Sequence, residues 1–237
     1  MSLEGAGCIV TGGTGGLGRA VVLALLARGA RVAVPYRSEA SWKALQGAAW
    51  PGATLLGLAA DMAAVEDARR FVDEAASHLG RLDGVAALAG SYVGAGPLES
   101  ASVEEWDGML QTNLTTVYAT CRAALPHLLK RGGSVVTVSS RLAAAGGAGA
   151  AAYAVSKAAV QALTRVLALE NADRGVRFNC VVPGTIDTAQ NRASMPRADA
   201  TRWTSPEAIA AVILFLLSSD SAPVTGAVLP VDQPVPS

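Results

Sequence analysis

The chain is poor in the residues from which disulfide scaffolds, metalloproteins and membrane spans are built. Its three cysteines, Cys8, Cys121 and Cys180, are widely separated in 237 residues, each within an apolar stretch. Such spacing excludes a disulfide framework and reads as buried thiols. The only histidines are His78 and His127, and no Cys or His spacing matches a structural or catalytic zinc site, so no metal is expected. Lysine plus arginine equals aspartate plus glutamate at 19 each. A chain without net charge lacks the electrostatic footprint of a nucleic-acid or anionic-membrane partner. Apolar runs such as Val212 to Leu217 fall well short of the roughly 20 residues that cross a bilayer. The N-terminus enters an apolar strand by Gly7 with no basic leader ahead of it, so the expected location is the cytoplasm.

What is present is a 51% hydrophobic chain, enough for one sizeable core. Short β-rich runs recur at Cys8 to Thr11, Arg31 to Pro35, Thr54 to Leu58, Gly84 to Leu88, Ser134 to Ser139, Arg177 to Val182 and Ala227 to Val231. Helical periodicity separates most of them, at Leu17 to Arg28, Val65 to Leu79, Val103 to Leu129, Tyr153 to Ala172 and Pro206 to Leu217. This alternation predicts an α/β fold: a doubly wound parallel sheet of about seven strands, helices on both faces, in one domain over 1–237. Ligands of such sheets gather beyond the carboxyl ends of the strands.

Chemically capable residues fall there. The first strand runs into Thr11-Gly12-Gly13-Thr14-Gly15-Gly16-Leu17-Gly18 and then directly into a helix, as a pyrophosphate cradle requires. Ala89-Gly90, Ser139-Ser140 and Pro183-Gly184-Thr185 follow the fourth, fifth and sixth strands. Tyr153 and Lys157 stand four residues apart, which places them on one face of a helix. A phenol, with an ordinary pKa of about 10, is a poor proton donor at neutral pH, and a fixed ammonium beside it lowers that value. Tyr153 is thereby a candidate general acid or base, and the Ser140 hydroxyl a candidate partner for a substrate oxygen.

These residues resemble the short-chain dehydrogenase/reductase family in its compact single-domain branch, and the matches run in order from about Gly7 to Asp232. Thr11 to Gly18 fits the family's Thr-Gly-x-x-x-Gly-x-Gly, and Ser140, Tyr153 and Lys157 its catalytic spacing. Asn113, in Gln-Thr-Asn-Leu, is similar to the fourth catalytic residue, and Asn179 to Thr188 to the segment beside the nicotinamide. The resemblance implies hydride exchange between a nicotinamide and a carbonyl or alcohol carbon. Tyr153 would pass the proton, Lys157 hold the ribose, Ser140 fix the oxygen and Asn113 anchor a relay water. It implies cofactor contacts from Gly12, Thr14, Gly15, Gly16, Leu17, Gly18, Arg37, Asp61, Ala89, Gly90, Tyr153, Lys157, Pro183, Gly184, Ile186 and Thr188, with Asp61 at the adenine. Homodimers or homotetramers of relatives form through helices corresponding to Val103 to Leu129 and Tyr153 to Ala172.

The second strand ends in Tyr36-Arg37-Ser38 with no carboxylate at its tip. A guanidinium there suits a 2′-phosphate, and Ser38 offers a hydroxyl, so NADP(H) is expected over NAD(H). Gly15 stands where many NADP-using relatives carry a basic residue. Three segments depart from the family pattern. Ala87-Leu88 replaces the usual Asn-Asn before Ala89-Gly90. A short substrate lid at about 187–204, containing Asn191, Arg192 and Met195, resembles that of quinonoid dihydropteridine reductases. The end, Val231 to Ser237, lacks the usual paired glycines. The expected activity is reduction of a carbonyl or oxidation of a secondary alcohol, on a 3-oxoacyl thioester or cyclic ketone. A pteridine or quinonoid reductase, and a non-catalytic NADP-binding regulator, are the alternatives.

Overall fold

The computed structural model describes residues 3–94 and 96–232. Among them, seven parallel strands form one sheet: β1 (Gly7–Thr11), β2 (Arg31–Tyr36), β3 (Leu55–Ala59), β4 (Gly84–Ala87), β5 (Gly133–Val138), β6 (Val176–Pro183) and β7 (Val228–Val231). Their order is β3-β2-β1-β4-β5-β6-β7. The strands are apolar on both faces because helices cover both. Ile9, Val85, Val135 and Phe178 pack with α3 (Val65–Leu79), α5 (Thr116–Leu128) and α7 (Ala151–Glu170). Val10, Val32, Val34, Val136 and Val181 pack with α1 (Gly16–Ala27), α2 (Glu39–Gln46) and α9 (Pro206–Leu217).

The chain winds outward one way from β1 through β2 to β3, then returns to place β4 on the other side of β1. That reversal opens a crevice at the carboxyl ends of β1 and β4. No helix of the described residues is long and apolar enough to cross a membrane.

The helical periodicity predicted one helix from Val103 to Leu129; the structure divides it. An α-helix, α4 (Val103–Leu110), leads into a single π-helical segment at Gln111–Thr115 before α5 begins. Such a widened turn carries the same apolar spacing as its neighbours, and it re-aims the side chains within it. Three further helices lie in stretches expected as loops: α2, capped by Ser38; α6 (Leu142–Ala145); and α8 (Ala189–Ser194), capped by Thr188. The two expected Asn-Asn positions are repacked with carbon, since Ala87 is buried in one core and Leu88 packs against the other. Arg177 fastens β6 to the end of α9, donating to the carbonyls of Leu216, Ser218, Ser221 and Val224. The prolines of the expected C-terminal tail, in 233–237, lie outside the described residues.

Candidate active site

The glycine turn is shaped by contacts that side chains would block. Gly12 has φ +68°, and a Cβ on it would stand 2.9 Å from the Ala89 nitrogen, so the loops after β1 and β4 touch at the crevice. A Cβ on Gly18 would stand 2.0 Å from the Gly12 carbonyl oxygen. Helix α1 has Gly15 at its N-cap position, with no side-chain cap and no acidic residue in its first turn. Its leading N–H groups therefore face the crevice carrying the positive end of the helix dipole. Thr14, Gly15, Gly16 and Leu17 form this rim. Across it, a Cβ on Gly16 would lie 2.6 Å from Cγ2 of Thr188, so the segment after β6 closes over the turn.

The residues expected to handle the proton lie on adjoining elements. Tyr153 and Lys157 lie on α7, beside Ser140 at the end of β5. The Ser140 hydroxyl hydrogen-bonds the Tyr153 phenol, which lowers the phenol's pKa, while burial outweighs it and pushes that pKa above its ordinary value. Ser140 Oγ also accepts from Leu142 N at 3.3 Å. Lys157 is 5% exposed, and burial brings its ammonium down to about 8. Its Nζ donates to the Val138 carbonyl at 3.0 Å. The sequence expectation that the ammonium governs the phenol is corrected here, because burial raises Tyr153 and the lowering influence is the Ser140 hydroxyl.

Asn113 sits in the π-helical segment, fully buried. Its Oδ1 accepts from Ser91 N at 2.8 Å, and its Nδ2 donates to Ser91 O at 3.0 Å and to Ser156 Oγ at 3.2 Å. It thus ties the loop after β4 to α7. A Cβ on Gly90 would lie 2.8 Å from Asn113 Oδ1 and 3.0 Å from Lys157 Nζ, so Gly90, Asn113 and Lys157 meet at one point. Ser139 was named in the sequence only as a strand-end residue, with no role assigned to it. Its Oγ donates to the Lys157 carbonyl at 2.7 Å and accepts from Gln161 Nε2 at 2.9 Å, fixing the end of β5 to α7.

The remaining expected positions surround the crevice. Arg37 is exposed at the end of β2 and makes no hydrogen bond or ion pair with the described residues. Glu39, two residues on, bonds the Tyr36 hydroxyl and lies 3.8 Å from Lys43. Asp61 is exposed after β3, and its Oδ1 accepts from Ala63 N at 3.0 Å in a turn before α3, whose cap position is Ala64. Ala89 N donates to Thr11 Oγ1 at 3.3 Å. Pro183 ends β6, and Gly184 N donates to Asp232 Oδ1 at 3.0 Å. Asp232 also pairs with Arg141 at 2.9 Å, a bridge between the last strand and the residue after Ser140 that the sequence did not reveal. Ile186 bridges to Thr204. In the expected lid, Asn191 Nδ2 donates to Ile186 O at 2.8 Å and Arg192 bonds Asp187 twice, at 2.5 and 2.7 Å. These polar groups are spent within the segment, whereas Met195 is 39% exposed.

An uncapped helix over a glycine turn, with a phenol, a hydroxyl and an ammonium a few strands away, fits a nicotinamide dinucleotide on chemical grounds. The class so defined is the nicotinamide-dependent oxidoreductases that interconvert CH–OH and C=O groups. The family model described as enoyl-(acyl carrier protein) reductase matches residues 12–233. L-fucose dehydrogenase of Bos taurus is 35% identical over 224 residues, covering 89% of this chain and 82% of that one. The 3-oxoacyl-(acyl-carrier-protein) reductase FabG of Thermotoga maritima is 32% identical over 243 residues, covering 98% of each. The crystal structure of levodione reductase superposes with a TM-score of 0.91 at 30% identity, over 97% of this chain and 96% of that one. The chain belongs to the short-chain dehydrogenase/reductase family, and it is an oxidoreductase of that family.

Proposed function

We propose that the protein is an NADP(H)-dependent oxidoreductase that interconverts a ketone and a secondary alcohol, with Tyr153 as proton donor and acceptor. The observation that carries this is the Ser140 hydroxyl bonded to the Tyr153 phenol, one helical turn from a buried Lys157. The nicotinamide supplies or accepts the hydride when bound. Tyr153 gives its proton to the carbonyl oxygen during reduction and regains it in the reverse direction. Ser140, which already bonds the phenol, holds that oxygen. Lys157, whose Nζ donates to the Val138 carbonyl, has the nicotinamide ribose as its other partner. Asn113 fixes Ser91 and α7 relative to each other and anchors the water through which protons reach Lys157.

Gly12, Thr14, Gly15, Gly16, Leu17 and Gly18 hold the pyrophosphate. Asp61 takes the adenine, and Ala89, Gly90, Pro183, Gly184, Ile186 and Thr188 line the nicotinamide half. Arg37 supports NADP(H) over NAD(H), since it is unpaired at the tip of β2 while the nearest acid, Glu39, is engaged by Tyr36 and Lys43. The segment at 187–204 serves as substrate lid, with Met195 as its exposed apolar contact. Tyr118 on α5 and Val155, Val166 and Leu169 on α7 are exposed apolar side chains that support a homo-oligomer through these helices. Three buried free thiols suit the cytoplasm.

The test is consumption of NADPH and NADH against cyclic ketones, an acetoacetyl thioester and a quinonoid pteridine. Ketone-dependent consumption that prefers NADPH upholds the proposal. Turnover of the pteridine alone supports the reductase suggested by the lid, and tight NADPH binding without turnover supports a regulator.

A further inference from the structure

The loop after β4 carries an aromatic side chain that the proton chemistry leaves unused. Tyr92 is 56% exposed, yet its ring meets that of Tyr153 edge to face, with centroids 4.9 Å apart and planes at 85°. A Cβ on Gly94 would stand 3.2 Å from the Tyr92 hydroxyl, so glycine at that position leaves space for the phenol head. Two rings at right angles form an aromatic corner at Tyr153. The loop continues with apolar side chains turned outward, Val93 at 47% and Leu98 at 67% exposure. Two arginines on the segments after β5 and β6 are paired, Arg141 with Asp232 and Arg192 with Asp187.

We propose that Tyr92 is a specificity-determining residue whose ring packs against substrate carbon beside the reacting carbonyl and selects compact apolar ring ketones over open-chain ones. The proposal rests on the oxidoreductase reading above and names the substrate class of that same site. A rigid ring lies flat in an aromatic corner and surrenders no internal rotation there, whereas an open chain of equal carbon number must freeze several torsions. A polyol would press hydroxyls against ring faces that return no hydrogen bond. Arg141 and Arg192 would take a substrate carboxylate or phosphate only by breaking their present pairs.

The experiment compares wild type, Tyr92→Ala and Tyr92→Phe on cyclohexanone and 2-hexanone, which share a carbon count and differ in shape. The readout is the ratio of kcat/KM for the two ketones with NADPH. Tyr92→Ala is expected to lower the cyclohexanone preference about tenfold, and Tyr92→Phe to hold it within about twofold. Equal losses on both ketones would mean that Tyr92 acts only by supporting Tyr153, and an unchanged ratio would mean no contact with substrate; either result overturns the proposal. Cyclohexanol binding, followed by saturation-transfer NMR on the same three proteins, needs no turnover. A preparation inactive on both ketones, in which Tyr92→Ala still weakens cyclohexanol about tenfold, upholds the corner and sinks the proposed ketone activity. Affinity unchanged by Tyr92→Ala sinks the corner whatever the turnover.

Discussion

Replacing Lys157 with methionine tests what the buried ammonium does to the fold as well as to the chemistry. Burial brings Lys157 from an ordinary pKa of 10.5 down to about 8. Below pH 8 both the folded and the unfolded chain carry the proton, and the folded chain bears the whole desolvation cost of about 3 kcal/mol. Between pH 8 and 10.5 the unfolded chain binds more protons than the folded one, so stability rises with pH and the cost fades. Methionine keeps an unbranched stem of similar length, removes the charge and forfeits the hydrogen bond to the Val138 carbonyl, worth about 1 kcal/mol. The net gain at pH 7 is about 2 kcal/mol, a rise in Tm of roughly 4–8 °C for a chain of this length. At about pH 10 the advantage falls to near zero, because the wild-type ammonium has by then released its proton in the folded state. Differential scanning calorimetry of both proteins without nucleotide reads this directly. A variant that melts below wild type at pH 7, or a difference that does not shrink with rising pH, would refute the reasoning. Turnover is expected to vanish in the same variant, a case of stability given up for function.

Two further substitutions probe the cofactor tip and the frame. Arg37→Ala should weaken NADPH about 10- to 100-fold and NADH far less, measured as two dissociation constants, because one charge-assisted contact to the 2′-phosphate is lost. Equal weakening would mean that Arg37 does not read that phosphate. Arg177→Met removes a half-buried guanidinium that serves four carbonyls and the Ser221 hydroxyl. Some of these carbonyls keep other donors, such as Ser134 Oγ at Leu216 O and Asn179 Nδ2 at Val224 O, so the expected loss is about 3 kcal/mol and a Tm fall of roughly 6–12 °C. A fall below about 2 °C would show that the network is dispensable.

The sheet was legible because a parallel strand covered on both faces must be apolar throughout. Cys8 to Val10 and Val135 to Val138 therefore stood out, and the strand boundaries agree to within a residue or two. Helix α3 was readable to its ends for a related reason, its one apolar stripe recurring through Ala68, Phe71, Val72, Ala75 and Leu79. Helix α2 escaped notice because eight residues with two buried anchors, Trp42 and Leu45, show too little periodicity. Ser38, expected only as a phosphate donor, proves to be its cap, accepting from Ser41 N and leaving its hydroxyl hydrogen free. No sequence signal separates an i+5 turn from an i+4 turn, so the π-helical segment that turns Asn113 toward Ser91 could be seen only in three dimensions. The same holds for Tyr92, a lone aromatic in a loop without periodicity, and for Asp232, whose partners lie 48 residues back at Gly184 and still further at Arg141. The effect of Lys157 on Tyr153 was misjudged because spacing fixes which face a side chain occupies and says nothing of where its charged end finds a hydrogen bond.

The central claim is that Tyr153 passes the proton in a nicotinamide-dependent reduction. It is tested most directly by following the ketone-dependent loss of NADPH fluorescence in wild type and Tyr153→Phe, with NADPH affinity titrated in parallel. The account predicts turnover in wild type, a loss of at least about 100-fold in the variant and nearly unchanged NADPH binding, because only the hydroxyl has gone. Turnover by Tyr153→Phe close to that of wild type would contradict it.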